Sequence, residues 1–164
     1  MKSKCDRNRA GPCSPCSTRG FTLLELMFAV AVIAILATLA VGQFSKYIDR
    51  SKSAAAQADI ALMEMQILRY RNNNNALPDA LAQIGEGAFL DPWQRPYYYT
   101  KLEGVKGSKG SARKDKKLNP LNSDYDLFSA GKNGVFKTQV SQKDSLDDVI
   151  RARDGAYIGL AEDF

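Results

Sequence analysis

Glu25 stands out chemically, because it is the one charged residue in an otherwise apolar run from Phe21 to Val41. As a helix rising roughly 1.5 Å per residue, that run is long enough to cross the ~30 Å hydrocarbon layer of a bilayer. A carboxylate left in lipid costs on the order of 2.5 to 3.5 kcal/mol, so Glu25 is expected to have a cationic partner. Five basic residues, Lys2, Lys4, Arg7, Arg9 and Arg19, precede the run. A cut between Gly20 and Phe21 would turn Phe21 into a new amino terminus one helical turn before Glu25. An ammonium and a carboxylate four positions apart share a helix face and can pair within one chain or between two neighbours.

A second set of residues could hold a hard cation. Asp124, Asp126, Ser129, Gly131, Asn133 and Gly134 are followed by Asp144, Asp147 and Asp148. Oxygen-bearing side chains around a glycine turn are what calcium requires, since it takes six to eight oxygens at about 2.3–2.6 Å. The competing reading of Asn133-Gly134 is a plain two-residue hairpin turn.

Other chemistry is sparse. The chain has no histidine, which removes the commonest general base and the commonest metal-binding nitrogen. No phosphate-binding glycine loop or nucleophile elbow is present, and nothing favours a Ser-Lys dyad, so an enzyme is not expected. Cys13 and Cys16 form a lone C-x-x-C, short of the four ligands a structural zinc needs. With Cys5 they all precede the proposed cut, so no disulfide is expected after it.

Gly20-Phe21-Thr22-Leu23-Leu24-Glu25 resembles the class III signal of type IV pilins and type II secretion pseudopilins. The resemblance implies that a membrane-embedded prepilin peptidase cuts between Gly20 and Phe21 and methylates the Phe21 nitrogen. It also implies that Glu25 meets the Phe21 amine of an adjacent subunit during assembly. An ordinary signal peptide is the wrong pattern, because its apolar core would precede the cleavage site; an uncut signal anchor would leave Glu25 unexplained.

Residues 1–20 are thus expected to be a cleaved leader, and they carry four of the five net positive charges. That charge is expected to keep the leader cytoplasmic and to place the chain after Val41 on the periplasmic side of a bacterial inner membrane in a single pass. Affinity for nucleic acid is not expected. The helix is expected to run over 21–71, with 21–41 in the membrane. Phe44, Tyr47, Ile48, Ser51, Ala55, Ala58, Leu62, Met65 and Leu68 form an apolar stripe at spacings of three and four, read as the face packed on a soluble domain, with Asp59 and Glu64 assigned to the polar side. Gly42, at the end of the span, offers a point of flexibility.

Residues 72–164 are expected to form a globular domain. Leu77-Pro78-Asp79 reads as the start of a short turn, and Asp91 to Tyr99 as a proline-framed turn entering a strand, with Trp93 packed onto the helix. This segment resembles the Asp-Pro-Trp-Gly-x-Pro-Tyr stretch of the major pseudopilin, with Gln94 at the glycine position. Residues 104–117, rich in Gly, Ser and Lys, read as a flexible basic loop that cannot bury a core. Val149 to Leu160 is expected to close the domain as extended chain.

Asp126 to Asp148 resembles the calcium loop of the major pseudopilin. The resemblance implies calcium held by Ala130, Asn133, Val135 and Asp147, with Asp148 beside them, although Asn133 stands where an aspartate is usual. The fold expected is α+β and pilin-like: a long amino-terminal helix, transmembrane in its first half, packed on a small antiparallel sheet. The function implied is a major-type pseudopilin that forms a helical homopolymer with other pseudopilins on an inner-membrane assembly platform and drives secretion. The alternatives are a type IV pilus subunit and a monomeric membrane-tethered binder of calcium or polyanions.

Overall fold

The computed structural model describes residues 20–85, 90–104 and 110–164. The leader up to residue 19, with its three cysteines, and the centre of the basic loop lie outside the described residues. The chain divides into two units, Met1–Val41 and Gly42–Phe164.

One helix, α1, spans Leu23–Asn74, a few residues later at each end than the expected 21–71. It passes through Gly42 as regular helix. Asn75 follows it at φ 52°, a left-handed residue of the kind that ends helices by satisfying their last carbonyls. In the first unit its residues are exposed, and an apolar window of mean hydropathy 2.6 makes the helix long and apolar enough to cross a membrane.

The second unit is built on a four-stranded antiparallel sheet in the order β1-β2-β3-β4: Tyr98–Lys101, Tyr125–Ser129, Val149–Ala152 and Tyr157–Leu160. Side-chain alternation along β2 sends Tyr125 and Leu127 to one face and Phe128 to the other, and all five residues of the strand are buried. The first face packs on α1 through Ala56, Ile60, Met63 and Ile67, with Leu77, Ile84, Tyr97 and Val149 completing that core. The second face is covered by Leu121, Val140 and Ala161 against Phe128, Ile150 and Ala152. The expected extended end is the β3–β4 hairpin, turned by Arg153, Asp154 and Gly155, all at positive φ.

Three expectations need correction. The packed face of α1 is the 56-60-63-67 stripe, whereas all nine residues from Phe44 to Leu68 assigned to that face are exposed. Both sets recur at helical spacing, so periodicity alone could not choose between them; the choice is made by which set the sheet covers. Asp59 and Glu64, placed on the polar side, instead serve the domain: Asp59 accepts a hydrogen bond from the Tyr97 hydroxyl at 2.8 Å, and Glu64 pairs with Arg151 at 2.8 Å.

In the basic loop, the described residues 110–117 include an anchored stretch. Ala112 and Arg113 are buried, and the Arg113 guanidinium lies 4.2 Å from the Phe128 ring centroid while donating to Asp148 at 2.6 Å. Composition averaged over the stretch conceals that its second half is pinned. The short turn forms where expected, with Leu81–Ile84 a 3-10 helix whose N-cap is Ala80 and the Asp79 N–H donating to the Gln83 side chain.

Candidate functional site

The amino-terminal site is shaped by the start of α1. The Glu25 N–H donates to the Thr22 hydroxyl at 3.2 Å, and the Leu26 N–H donates to the Thr22 carbonyl at 3.2 Å, so Thr22 caps the helix. Thr22-Leu23-Leu24-Glu25 also fits the capping-box pattern, a signal legible in the sequence that the membrane argument passed over. Gly20, Phe21, Thr22 and Glu25 line one open recess. The two residues of the expected cut and the acid thus sit together, with Glu25 in the first turn, where the helix dipole favours negative charge.

The carboxy-terminal loop leaves β2 at Ser129. Gly131 and Gly134 adopt φ 61° and 72°, and the Gly134 N–H donates to the Ala130 carbonyl at 3.1 Å. No two-residue hairpin forms at Asn133-Gly134: β2 pairs with β1 and β3, and β3 begins only at Val149.

Asp91 anchors this loop to the Trp93 turn. Its Oδ1 accepts the N–H groups of Trp93 at 3.0 Å and Arg95 at 2.8 Å, and its Oδ2 accepts the Ser129 hydroxyl at 2.6 Å. Trp93 packs against the core shared with α1, as expected. Gln94 has φ 66°, so the position where the resemblance has glycine is one where glycine would be unstrained.

Of the five candidate calcium ligands, the structure brings Asn133 and Asp147 together and spends Asp148 elsewhere. Both Asp147 carboxylate oxygens accept from Asn133, from its backbone N–H at 2.8 Å and its side-chain amide at 2.6 Å. The Asn133 oxygen accepts the Val135 N–H at 2.6 Å. Asp148 is fully buried against Arg113, and burial pushes its carboxyl up to about 6 although the guanidinium pulls the other way. Among the described residues no group of three or more His, Cys, Asp or Glu is placed to hold a metal. The donor set does not fit a six- to eight-oxygen site.

Asp126, expected beside the loop, faces the second core. Burial raises its carboxyl above the usual 3.8, against the opposing pull of N–H donors from Arg113 and Asn122. The folded chain therefore holds this proton more tightly than the unfolded chain. The stability Asp126 contributes is complete below its ordinary pKa and is lost as pH rises through the raised folded value. Unfolding free energies of the full chain measured upward from about pH 4 are expected to fall less steeply in Asp126→Asn than in the parent. An unchanged slope would refute the assignment.

Sequence reasoning missed Arg151. It joins Glu64 of α1 to Asp124 before β2, lies 4.0 Å from the Tyr125 ring centroid and is 3% exposed. Burial works against its charge, but the hydrogen bonds to Asp124 and Glu64 prevail and hold its proton more tightly than usual. No local pattern signals it, because Glu64 lies 87 positions away in the chain.

Residues 16–41 match the prokaryotic N-terminal methylation motif. Type II secretion system core protein G of Pseudomonas aeruginosa is 29% identical over 136 residues, covering 70% of this chain and 84% of that protein. Core protein G of Escherichia coli is 27% identical over 121 residues, covering 72% and 77%. The chain is a pilin-like homologue of type II secretion core protein G. The type IV major pilin PilA of Myxococcus xanthus is 36% identical, but over only 67 residues, 41% of this chain and 30% of the pilin. Likeness to core protein G thus covers a much larger share of this chain than likeness to the pilin does. No solved structure matches the chain.

Proposed function

We propose that this core protein G homologue is a major-type building block of a type II secretion pseudopilus, trimmed by prepilin peptidase between Gly20 and Phe21 and methylated on the Phe21 nitrogen. Its first helical half is held once across the inner membrane, with the leader cytoplasmic and the sheet domain periplasmic. Subunits then join other pseudopilins on an inner-membrane platform. The role is structural and involves no catalysis.

The observation that carries this reading is the second apolar stripe of α1. The residues from Phe44 to Leu68 repeat every three or four positions and are exposed, with Phe44 at 67% and Met65 at 68%, while a different face fills the domain core. A monomer gains nothing from that surface, whereas packing it against neighbouring helices removes apolar area from water at about 25 cal/mol per Å². The exposed residues of Leu23–Val41 extend the same opportunity into lipid-facing helix.

Mass spectrometry of the membrane-extracted protein tests the processing step. The expected species begins at Phe21 with one added methyl group, and cross-linking in cells is expected to give a ladder of multimers. Recovery of the uncut chain as the working form, or of monomer alone after cross-linking, would overturn the proposal.

A further inference from the structure

The loop from Ala130 to Val135 is held by side-chain donors, Arg95 from outside it and Asn133 from within. Arg95 reaches from the Trp93 turn and donates from Nη1 to the Gly131 carbonyl and from both terminal nitrogens to the Lys132 carbonyl, at 3.1 and 3.2 Å. On the other side the Asn133 amide nitrogen donates to the Asp144 carbonyl at 2.8 Å and to Asp147 at 2.6 Å. We propose that Arg95 and Asn133 form a guanidinium–amide clasp that closes this loop in place of a metal ion, so that the carboxy-terminal domain folds independently of calcium. The inference does not rest on the assembly reading.

Three features support it. The first is orientation: the Asn133 nitrogen faces two oxygens while its oxygen faces the Val135 N–H, so exchanging the two atoms would set acceptor against acceptor. The second is space. A Cβ on Gly134 would collide with the Arg95 guanidinium, and one on Gly131 with the carbonyl and carboxylate of Asp147, so the loop backbone closes directly onto these groups. The third is charge. Calcium affinity rises with the number of carboxylates, yet Asp148 is spent on Arg113 and Asp144 lies 3.9 Å from the Lys137 ammonium, leaving Asp147 to the loop with Arg95 beside it.

The clasp also ties the loop to the rest of its unit. Lys132, whose carbonyl Arg95 holds, pairs through its ammonium with Asp49 of α1 at 2.8 Å. Arg95 itself is fixed by its N–H to Asp91, which holds Ser129. The contacts Asp91–Ser129, Arg95–Lys132 and Asn133–Asp147 therefore run in series along the loop.

The test is thermal unfolding of the full chain in detergent micelles, with EGTA or with millimolar calcium chloride. The parent is expected to unfold at the same temperature in both. Arg95→Ala is expected to unfold about 4–8 °C lower in both, as for loss of one strong contact in a domain of this size. Asn133→Asp sets two carboxylates against each other and is expected to unfold lower in EGTA and to regain stability in calcium. A parent chain that gains several degrees from calcium would overturn the proposal without reference to any variant, because a ligand that binds only the folded state raises its stability. So would an Arg95→Ala chain that unfolds with the parent in EGTA.

Discussion

Glu25→Ala is expected to give a subunit that enters the membrane and is trimmed normally but is absent from filaments. The substitution removes a charge whose burial in lipid costs on the order of 2.5–3.5 kcal/mol, so insertion becomes easier. Assembly loses the only acid in the apolar run that could meet a neighbour's Phe21 ammonium. A loss of roughly 3 kcal/mol per contact shifts association by about two orders of magnitude, since each 1.4 kcal/mol is tenfold. The measurement compares sheared-filament yield with the membrane pool and with the mass of the mature amino terminus. Thr22→Ala separates pairing from helix capping: it removes the hydroxyl that holds the Glu25 N–H, costs about 1 kcal/mol of local helix, and keeps the carboxylate. Filaments are expected to survive Thr22→Ala. Normal filaments from Glu25→Ala would eliminate the pairing mechanism, and equal loss in both variants would reduce Glu25 to a helix-start residue.

The second large effect is expected at Arg151. Its guanidinium grips both oxygens of Asp124 at 2.8 and 2.9 Å, gives Nε to Glu64 at 2.8 Å and also donates to the Tyr125 carbonyl. Arg151→Ala leaves two largely buried carboxylates without their cation, a change that costs roughly 3–5 kcal/mol. At roughly 4 °C per kcal/mol, the unfolding temperature of the full chain should fall by more than 10 °C. Arg151→Lys is expected to restore little, because one ammonium cannot reproduce a planar fork that serves two acids at once. A variant that melts within a few degrees of the parent would show that the three-residue centre contributes little to stability.

The two ends of the chain differ in how far their sequence disclosed them. Around Gly20 to Glu25 the chemistry is local: the charge, the apolar run and the turn of helix are adjacent in sequence, so the residues that could be named are those the structure gathers. The strand entered at Tyr98 was legible for the same reason, as an aromatic run bounded by turn residues, and the closing segment from Val149 because its glycines disfavour a helix.

Along α1 the local pattern was ambiguous. Ile60 and Leu62 are equally apolar, and what buries the first and exposes the second is a sheet formed by residues far along the chain. Arg113 and Arg151 were illegible for a stronger reason. Charged residues are read as surface by default, and only pairing across 35 and 87 positions makes their burial affordable. At the loop, Asn133 showed as a lost negative charge, but the amide's new partners could not be inferred before Asp144 and Asp147 were placed around it.

The two-sided helix lets one stretch of chain answer to two separate selections. Between Phe44 and Leu68, substitutions sort by angle about the axis: those aimed at the sheet should give unstable protein, and those aimed outward should give well-folded protein that fails to polymerise. A saturation library over this region, scored once for abundance and once for export, should therefore divide into two interleaved classes with little overlap. Homologues can then retune how their filaments pack while leaving the domain beneath untouched.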